Sequence, residues 1–367
     1  MITLFIVSTT PYSGKSLVAL GLGLRFKKDK INFSTMKPIG TIPIKKGDII
    51  SDEDTVFFRD AVGIDDPFEL MTPVVMTHDL TMRAYRGELK DLQNKIIDAH
   101  KKLSKNKKLV LMGTGGDLYT GISLGISMLD LIKRLDGKVI LVDKYDPEVC
   151  VDCILGIKES LRDRLIGVIL NYVSPASLGY VRTKITPFLR KKGVDVLGVI
   201  PQDRLLNAIS VKQLCKTING EVICSEDKIN ELVERFFIGA MNVEKAMEHF
   251  KVQQNKAVIV GGDRPDIQLA ALETATKCLI LTGGMYPNDI ILMRAKEVGV
   301  PIIIVKDDTL TIVERLASVI GKARIREDEK VLRGAELFER SVNMDLIYEK
   351  IGLKAKKKKK VTKKKKK

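Results

Sequence analysis

Ile2-Thr3-Leu4-Phe5-Ile6-Val7, followed by Ser8-Thr9-Thr10-Pro11-Tyr12-Ser13-Gly14-Lys15-Ser16, decides how the chain begins to fold. The first six residues are apolar and β-rich, and Ser16 to Phe26 carries apolar residues at helical spacing. A Gly-Lys-Ser between a strand and a helix is the setting of a phosphate-binding loop. There, backbone N–H groups wrap phosphate oxygens and the helix N-terminus adds its positive end. Thr10, Ser13, Gly14, Lys15, Ser16 and Leu17 are the candidate nucleotide contacts. In this scheme Lys15 neutralises the terminal phosphates, and the Ser16 hydroxyl joins Mg²⁺. The usual spacing asks for glycine at position 9, where this chain has Thr9. The competing reading is a turn at a helix start that holds no ligand.

Outward from this loop, apolar runs recur at Leu109–Met112, Val139–Val142, Leu165–Leu170 and Val194–Ile200. Amphipathic stretches lie between them, at Leu89–Leu103, Ser127–Leu135, Val149–Leu161 and Tyr180–Lys191. Continuous buried runs separated by helices predict an α/β fold, a parallel sheet with helices on both faces. A second, smaller α/β unit follows. Its helices are expected at Val211–Thr217, Val243–His249, Asp266–Thr274, Asp289–Val298 and Thr311–Ile320. Its strands are expected at Glu221–Cys224, Ala257–Val260, Cys278–Thr282 and Pro301–Val305. The domain limits follow as 1–205, 206–325, a helical segment 326–353, and a tail 354–367. With 367 residues, two main domains agree with about 100–200 residues per domain.

The net charge is +16, but 11 of the 14 residues from Lys354 to Lys367 are lysine. The body is therefore only mildly basic. A block of like charges repels itself and attracts nucleic acid or anionic surfaces without specificity. No aromatic residue interleaves with these lysines to stack on bases. The chain lacks the ~18–20 apolar residues of a transmembrane segment, and its start has no basic n-region, so a cytoplasmic location is expected. Cys150 and Cys153 have the spacing of half a metal or redox site. They also fit two small apolar residues one helical turn apart, and no metal cage is predicted there.

The loop resembles that of dethiobiotin synthetase, with Ser8 in the place of that family's leading glycine. Lys37-Pro38-Ile39-Gly40 is similar to the family's Lys-Pro segment, which makes Lys37 the candidate catalytic residue. Asp54, in Asp52-Glu53-Asp54, falls where a metal-associated aspartate is implied, so Ser16 and Asp54 are the candidate Mg²⁺ ligands. Gly113-Thr114-Gly115-Gly116 resembles the family's Gly-Ala-Gly-Gly loop, and Asn171 matches an asparagine that reads adenine. Met112 stands where the family has a glutamate that helps hold Mg²⁺. A thioether does not replace a hard carboxylate, so a weakened metal site is expected. Asp117 lies just beyond as a substitute.

Gly261-Gly262-Asp263-Arg264-Pro265-Asp266 and Thr282-Gly283-Gly284 resemble the signature of the DRTGG domain. Asp263 and Arg264 either face a small anionic ligand or partner, or form an internal pair, and Asp266 is placed to cap a helix. The order of the two halves resembles the N-terminal regulatory region of long phosphotransacetylases, and no acetyltransferase domain is expected after it here. The resemblance implies an ATP-binding regulatory protein whose DRTGG half senses a metabolite or forms a homodimer. The alternatives are an ATP-dependent synthetase or ligase that activates a carboxylate or carbamate, and a scaffold that binds anionic partners through its lysine tail.

Overall fold

The computed structural model describes residues 1–319 and 324–353. The lysine-rich tail, where nonspecific anionic contact is expected, lies outside the described residues. The chain divides into two compact units, one formed by Met1–Gln202 with the residues from Ile325 onward, the other by Asp203–Arg324. The helices expected at the C-terminal end thus belong to the first unit.

In the first unit, β1 (Ile2–Val7), β2 (Phe33–Met36), β3 (Leu109–Gly113), β4 (Lys138–Lys144), β5 (Leu165–Val173) and β6 (Val196–Pro201) form one sheet in the order β6-β5-β4-β1-β3-β2. Every pairing in it is parallel. Strand β1 lies inside the sheet, with Ile6 opposite Gly113 on one side and Ile140 on the other. Alternation sends Phe5 and Val7 into one cluster, joined by Ile96 and Leu103 of α3 (Leu92–Leu103), Leu131 of α4 (Met128–Arg134), Ile154 of α5 (Cys150–Leu161) and Leu189 of α6 (Thr186–Lys191). Leu4 and Ile6 are equally buried on the other face, where α1 (Lys15–Lys28) packs. Both faces are therefore covered, as a parallel sheet requires.

Strand β2, a hairpin and α2 lie outside the runs read from the sequence. Strand β2 contains Ser34 and Thr35, which stay buried because Thr35 donates to the Leu111 carbonyl at 3.1 Å and Ser34 to Asp66 at 2.6 Å. A hairpin pairs Pro43–Lys46 with Ile49–Asp52, and α2 (Glu53–Val62) starts directly after it. Near the C-terminal end, α12 (Asp328–Ser341) and α13 (Met344–Ile351) are two helices, parted where Val342 bridges Gly198 of β6. That bridge and the 2.8 Å bond from the Asn343 N–H to the Leu197 carbonyl occupy part of an open sheet edge.

The second unit has a five-stranded sheet of β7 (Glu221–Cys224), β8 (Arg235–Ile238), β9 (Lys256–Gly261), β10 (Thr276–Thr282) and β11 (Ile302–Ile304), in the order β7-β11-β10-β9-β8. Only β7 is antiparallel to its neighbour among these strands. Val258 and Leu279 face α8 (Val243–Val252), α9 (Pro265–Leu272) and α10 (Asp289–Val298). Ala257 and Cys278 face the other way, toward α7 (Val211–Ile218) and α11 (Thr309–Val319). Among the described residues, no helix is long and apolar enough to cross a membrane.

Phe338 of α12 lies over Gly21 of α1, where a Cβ would come within 2.2–2.6 Å of its ring. Gly21→Ala gains about 1 kcal/mol of helix propensity. It also forces an overlap that costs about 1–3 kcal/mol, so the clash is the larger effect. The variant is expected to unfold at lower urea concentration than the wild type. A raised midpoint would show that α12 does not rest on this stripe of α1.

Candidate functional site

Crevices at the C-terminal ends of parallel strands collect ligands where neighbouring connections diverge. Strand β1 ends at such a point, between β3 and β4. The loop after it turns through Gly14, whose φ of 95° is left-handed. Two constraints make glycine necessary there. Left-handed backbone disfavours a side chain, and a Cβ would lie 1.8 Å from Asn171 Nδ2. Asn171, at the end of β5, donates that amide to the Ser13 carbonyl at 2.9 Å. Its amide nitrogen thus braces the loop, where the resemblance implied adenine reading.

The loop is also bonded within itself. Ser8 Oγ donates to the Thr10 carbonyl at 2.6 Å, and Ser13 Oγ to the same carbonyl at 2.8 Å. Thr10 and Ser13 hydroxyls lie 2.9 Å apart. Thr9, in the place of the expected glycine, donates its N–H (2.9 Å) and hydroxyl (2.8 Å) to the two oxygens of Asp143 on β4. Burial pushes the Asp143 carboxyl above the usual carboxylate range, against the effect of the Thr9 bonds. Ser16 is exposed at the start of α1, whereas Leu17 is buried under the helix.

Lys15 Nζ donates to Ser8 Oγ at 2.6 Å and to the Gly116 carbonyl. Burial lowers its pKa to about 8, although Asp117 and Asp143 pull the other way. Asp117 is engaged locally, accepting from the Tyr119 N–H at 2.9 Å and the Thr120 hydroxyl at 3.1 Å.

Lys37 is buried and bonds Asp52 at 2.8 Å and Asp54 at 2.7 Å. Asp52 caps α2 through the Asp54 N–H (2.9 Å) and Thr55 N–H (3.3 Å). Its other oxygen takes the Thr41 and Ile42 N–H groups at 2.9 and 3.0 Å. The second oxygen of Asp54 is held by Arg326, whose guanidinium lies 4.6 Å from the Phe57 ring centroid. Burial alone would raise the Asp54 pKa, but the Lys37 and Arg326 charges outweigh it and hold the carboxyl at about 2.

These groups share one cleft of about 620 Å³, its open mouth included, lined by Lys15, Ser16, Lys37, Asp54, Thr114 and Arg326 among others. Met112 does not belong to it. Its side chain is wholly buried in the cluster of Phe5, Val7 and Met36. Mg²⁺ takes octahedral oxygen ligands, commonly one or two carboxylates beside phosphate oxygens and water. Here Asp54 has both oxygens committed to cations and Met112 is core, so the acidic donors expected from the resemblance do not fit the ion well. Among the described residues, no group of three His, Cys, Asp or Glu side chains is placed to hold a metal.

In the second unit, Arg264 pairs with Asp266 at 2.9 and 3.0 Å and not with the exposed Asp263. Asp266 lies inside the first turn of α9, beyond Pro265, so it does not cap the helix as expected. The Thr282 hydroxyl lies 2.8 Å from that of Thr309, and Gly283 and Gly284 turn the chain with φ of 84° and 68°. Sequence reasoning missed Asp143 and Arg326. Asp143 ends a predicted strand beside the loop, which is a usable signal. Arg326 carries none, being 272 residues from the aspartate it meets.

At about pH 8.5 free Lys15 is mostly neutral, whereas a bound phosphate favours its charged form. Nucleotide binding at that pH is expected to take up a proton, with affinity falling as pH rises through 8. Calorimetry in two buffers of different ionisation enthalpy measures the uptake. Binding that is independent of pH, with no proton taken up, would remove Lys15 from the phosphate contacts.

An AAA domain model matches residues 2–210 and a DRTGG domain model residues 213–319. Phosphate acetyltransferase of Synechocystis sp. is 22% identical over 93% of this chain and 50% of its own length. That of Nitratidesulfovibrio vulgaris is 24% identical over 93% of the chain and 50% of its length. The chain therefore spans about half the length of these relatives. An ATP-dependent dethiobiotin synthetase of Methanococcus vannielii is 29% identical, covering 54% of the chain and 77% of that enzyme. The first model takes in more than half of the 367 residues. The chain belongs to the AAA domain family, with a dethiobiotin-synthetase-like P-loop domain followed by a DRTGG domain.

Proposed function

We propose that the chain is a nucleotide-binding regulatory protein. ATP or a similar nucleotide occupies the Lys15 loop, and the DRTGG half senses a small anionic metabolite or mediates homodimerisation, in a cytoplasmic setting. One observation carries the choice of binder over catalyst. The loop is formed and braced, yet Asp54 is spent on two ion pairs and Met112 is packed in the core. Phosphoryl transfer depends on positioned charge and metal ions, so a cleft with this donor set favours holding a nucleotide over turning it over. The order of the two halves resembles the N-terminal regulatory region of long phosphotransacetylases, which supports a regulatory role, and acetyl transfer is not assigned to the residues described here.

A second reading is an ATP-dependent synthetase, with Lys37 beside a carboxylate or carbamate. The similarity to dethiobiotin synthetase and the place of Lys37 in the cleft favour it.

Calorimetric titration of the purified chain with ATP, beside the Lys15→Ala variant, separates these readings. Micromolar binding that the variant lowers at least a hundredfold, with no ADP formed, is the expected result. ADP released on adding a candidate acid would favour the synthetase. No heat at millimolar ATP would mean that the loop holds no nucleotide.

A further inference from the structure

Three cations, Lys15, Lys37 and Arg326, line the cleft, and Asp54 is the one carboxylate among its described lining residues. Asp52 sits behind, its charge answered by Lys37 and four backbone N–H groups. Asp143 and Asp117 are tied to Thr9 and to their own turn. A divalent ion seeking a carboxylate in this cleft must therefore take Asp54 from Lys37 and from Arg326.

That exchange is unfavourable for two physical reasons. The pair lies beside Phe57 and Phe58, where a low effective dielectric strengthens attraction between the charges. Arg326 is also held over the Phe57 ring, so its guanidinium is positioned before any ligand arrives. In addition, Arg326 Nε is buried with no hydrogen-bond partner among the described residues. A buried donor without an acceptor is costly, and an anion entering the cleft is a natural acceptor for it.

We propose that the cleft takes its nucleotide as the metal-free polyphosphate, with Arg326 as a binding residue that balances the charge of Asp54 and answers phosphate charge. This rests on the reading that the Lys15 loop binds nucleotide, and goes beyond it by naming the ligand form and the residue that selects it. Arg326 does in the binding site what a divalent cation does in a metal-dependent one, and it does so from within the chain.

The full-length protein is titrated with ATP by calorimetry in EDTA and again in millimolar Mg²⁺. Affinity about tenfold lower in Mg²⁺ than in EDTA is expected, because Mg²⁺ draws ATP into its metal complex. In Arg326→Gln, affinity in EDTA falls about tenfold, and Mg²⁺ then recovers part of it because Asp54 is released to the ion. Adding Asp54→Asn to that variant removes the recovery. Circular dichroism and the urea midpoint of each variant confirm that it is folded, and Arg326→Lys, which keeps the charge, serves where the glutamine variant is not. Binding by the wild type that is equal or tighter in Mg²⁺ overturns the proposal while leaving nucleotide binding intact. Arg326→Gln and Arg326→Lys both binding as the wild type does in EDTA also overturns it. Absence of binding in either buffer overturns the nucleotide reading itself, and the proposal with it.

Discussion

Asp52 is wholly buried and accepts hydrogen bonds from Lys37 and from four backbone N–H groups on both sides of a chain turn. An ionised carboxylate away from water is tolerable only when its lone pairs are answered in this way. Meeting that condition fixes much of the first unit's ligand face. It starts α2, it closes the hairpin that leads into it, and it aims Lys37 at the cleft. Asp54 is placed by the same turn, two residues on, where it meets Lys37 from one side and Arg326 from the other. Removing one partner of such a network leaves a buried charge uncompensated, typically at a cost of about 3–5 kcal/mol. The cleft's electrostatics and the local fold are consequently one arrangement.

How much of this was legible in the sequence follows from how local each feature is. The strand, loop and helix of residues 2–28 are a continuous pattern, and so are the inner strands of both sheets, whose runs of Val, Ile and Leu reflect burial on two faces. Strand β2 escaped notice because Ser34 and Thr35 interrupt its apolar run, and their burial is compensated by partners far along the chain. Helix α2 escaped because its signal is a polar cap, Asp52, read as part of an acidic stretch with a metal role. Asp266 shows the converse. An aspartate near a helix start looks like a cap, but Pro265 already opens the helix and Arg264 claims the carboxylate.

Position 112 is read in the sequence as a place where the resemblance expects an acidic side chain, but where Met112 packs was not readable. Hydrophobic character says that Met112 tolerates burial. It does not say that the side chain faces the Phe5 cluster and leaves the cleft to Leu111 and Gly113. Similarly, Thr9 breaks the expected glycine spacing, yet its hydroxyl and N–H both reach Asp143 and tie the loop to β4. A departure from a motif can thus supply a brace that the motif lacked, as at Thr9.

Arg326 is the least legible member of the cleft, because it arrives only where the chain comes back to the first unit. The chain leaves the first unit after Gln202 and re-enters it at Ile325. Arg326 is therefore the second residue of the returning segment, covalently next to the DRTGG-containing unit. Coupling between two sites requires that occupancy of one change the affinity of the other. Among the charged groups that line the cleft, Arg326 has the shortest path along the chain to the second unit. A ligand of the second unit that moved Arg326 would act on the partner of Asp54, which is the kind of change that coupling requires.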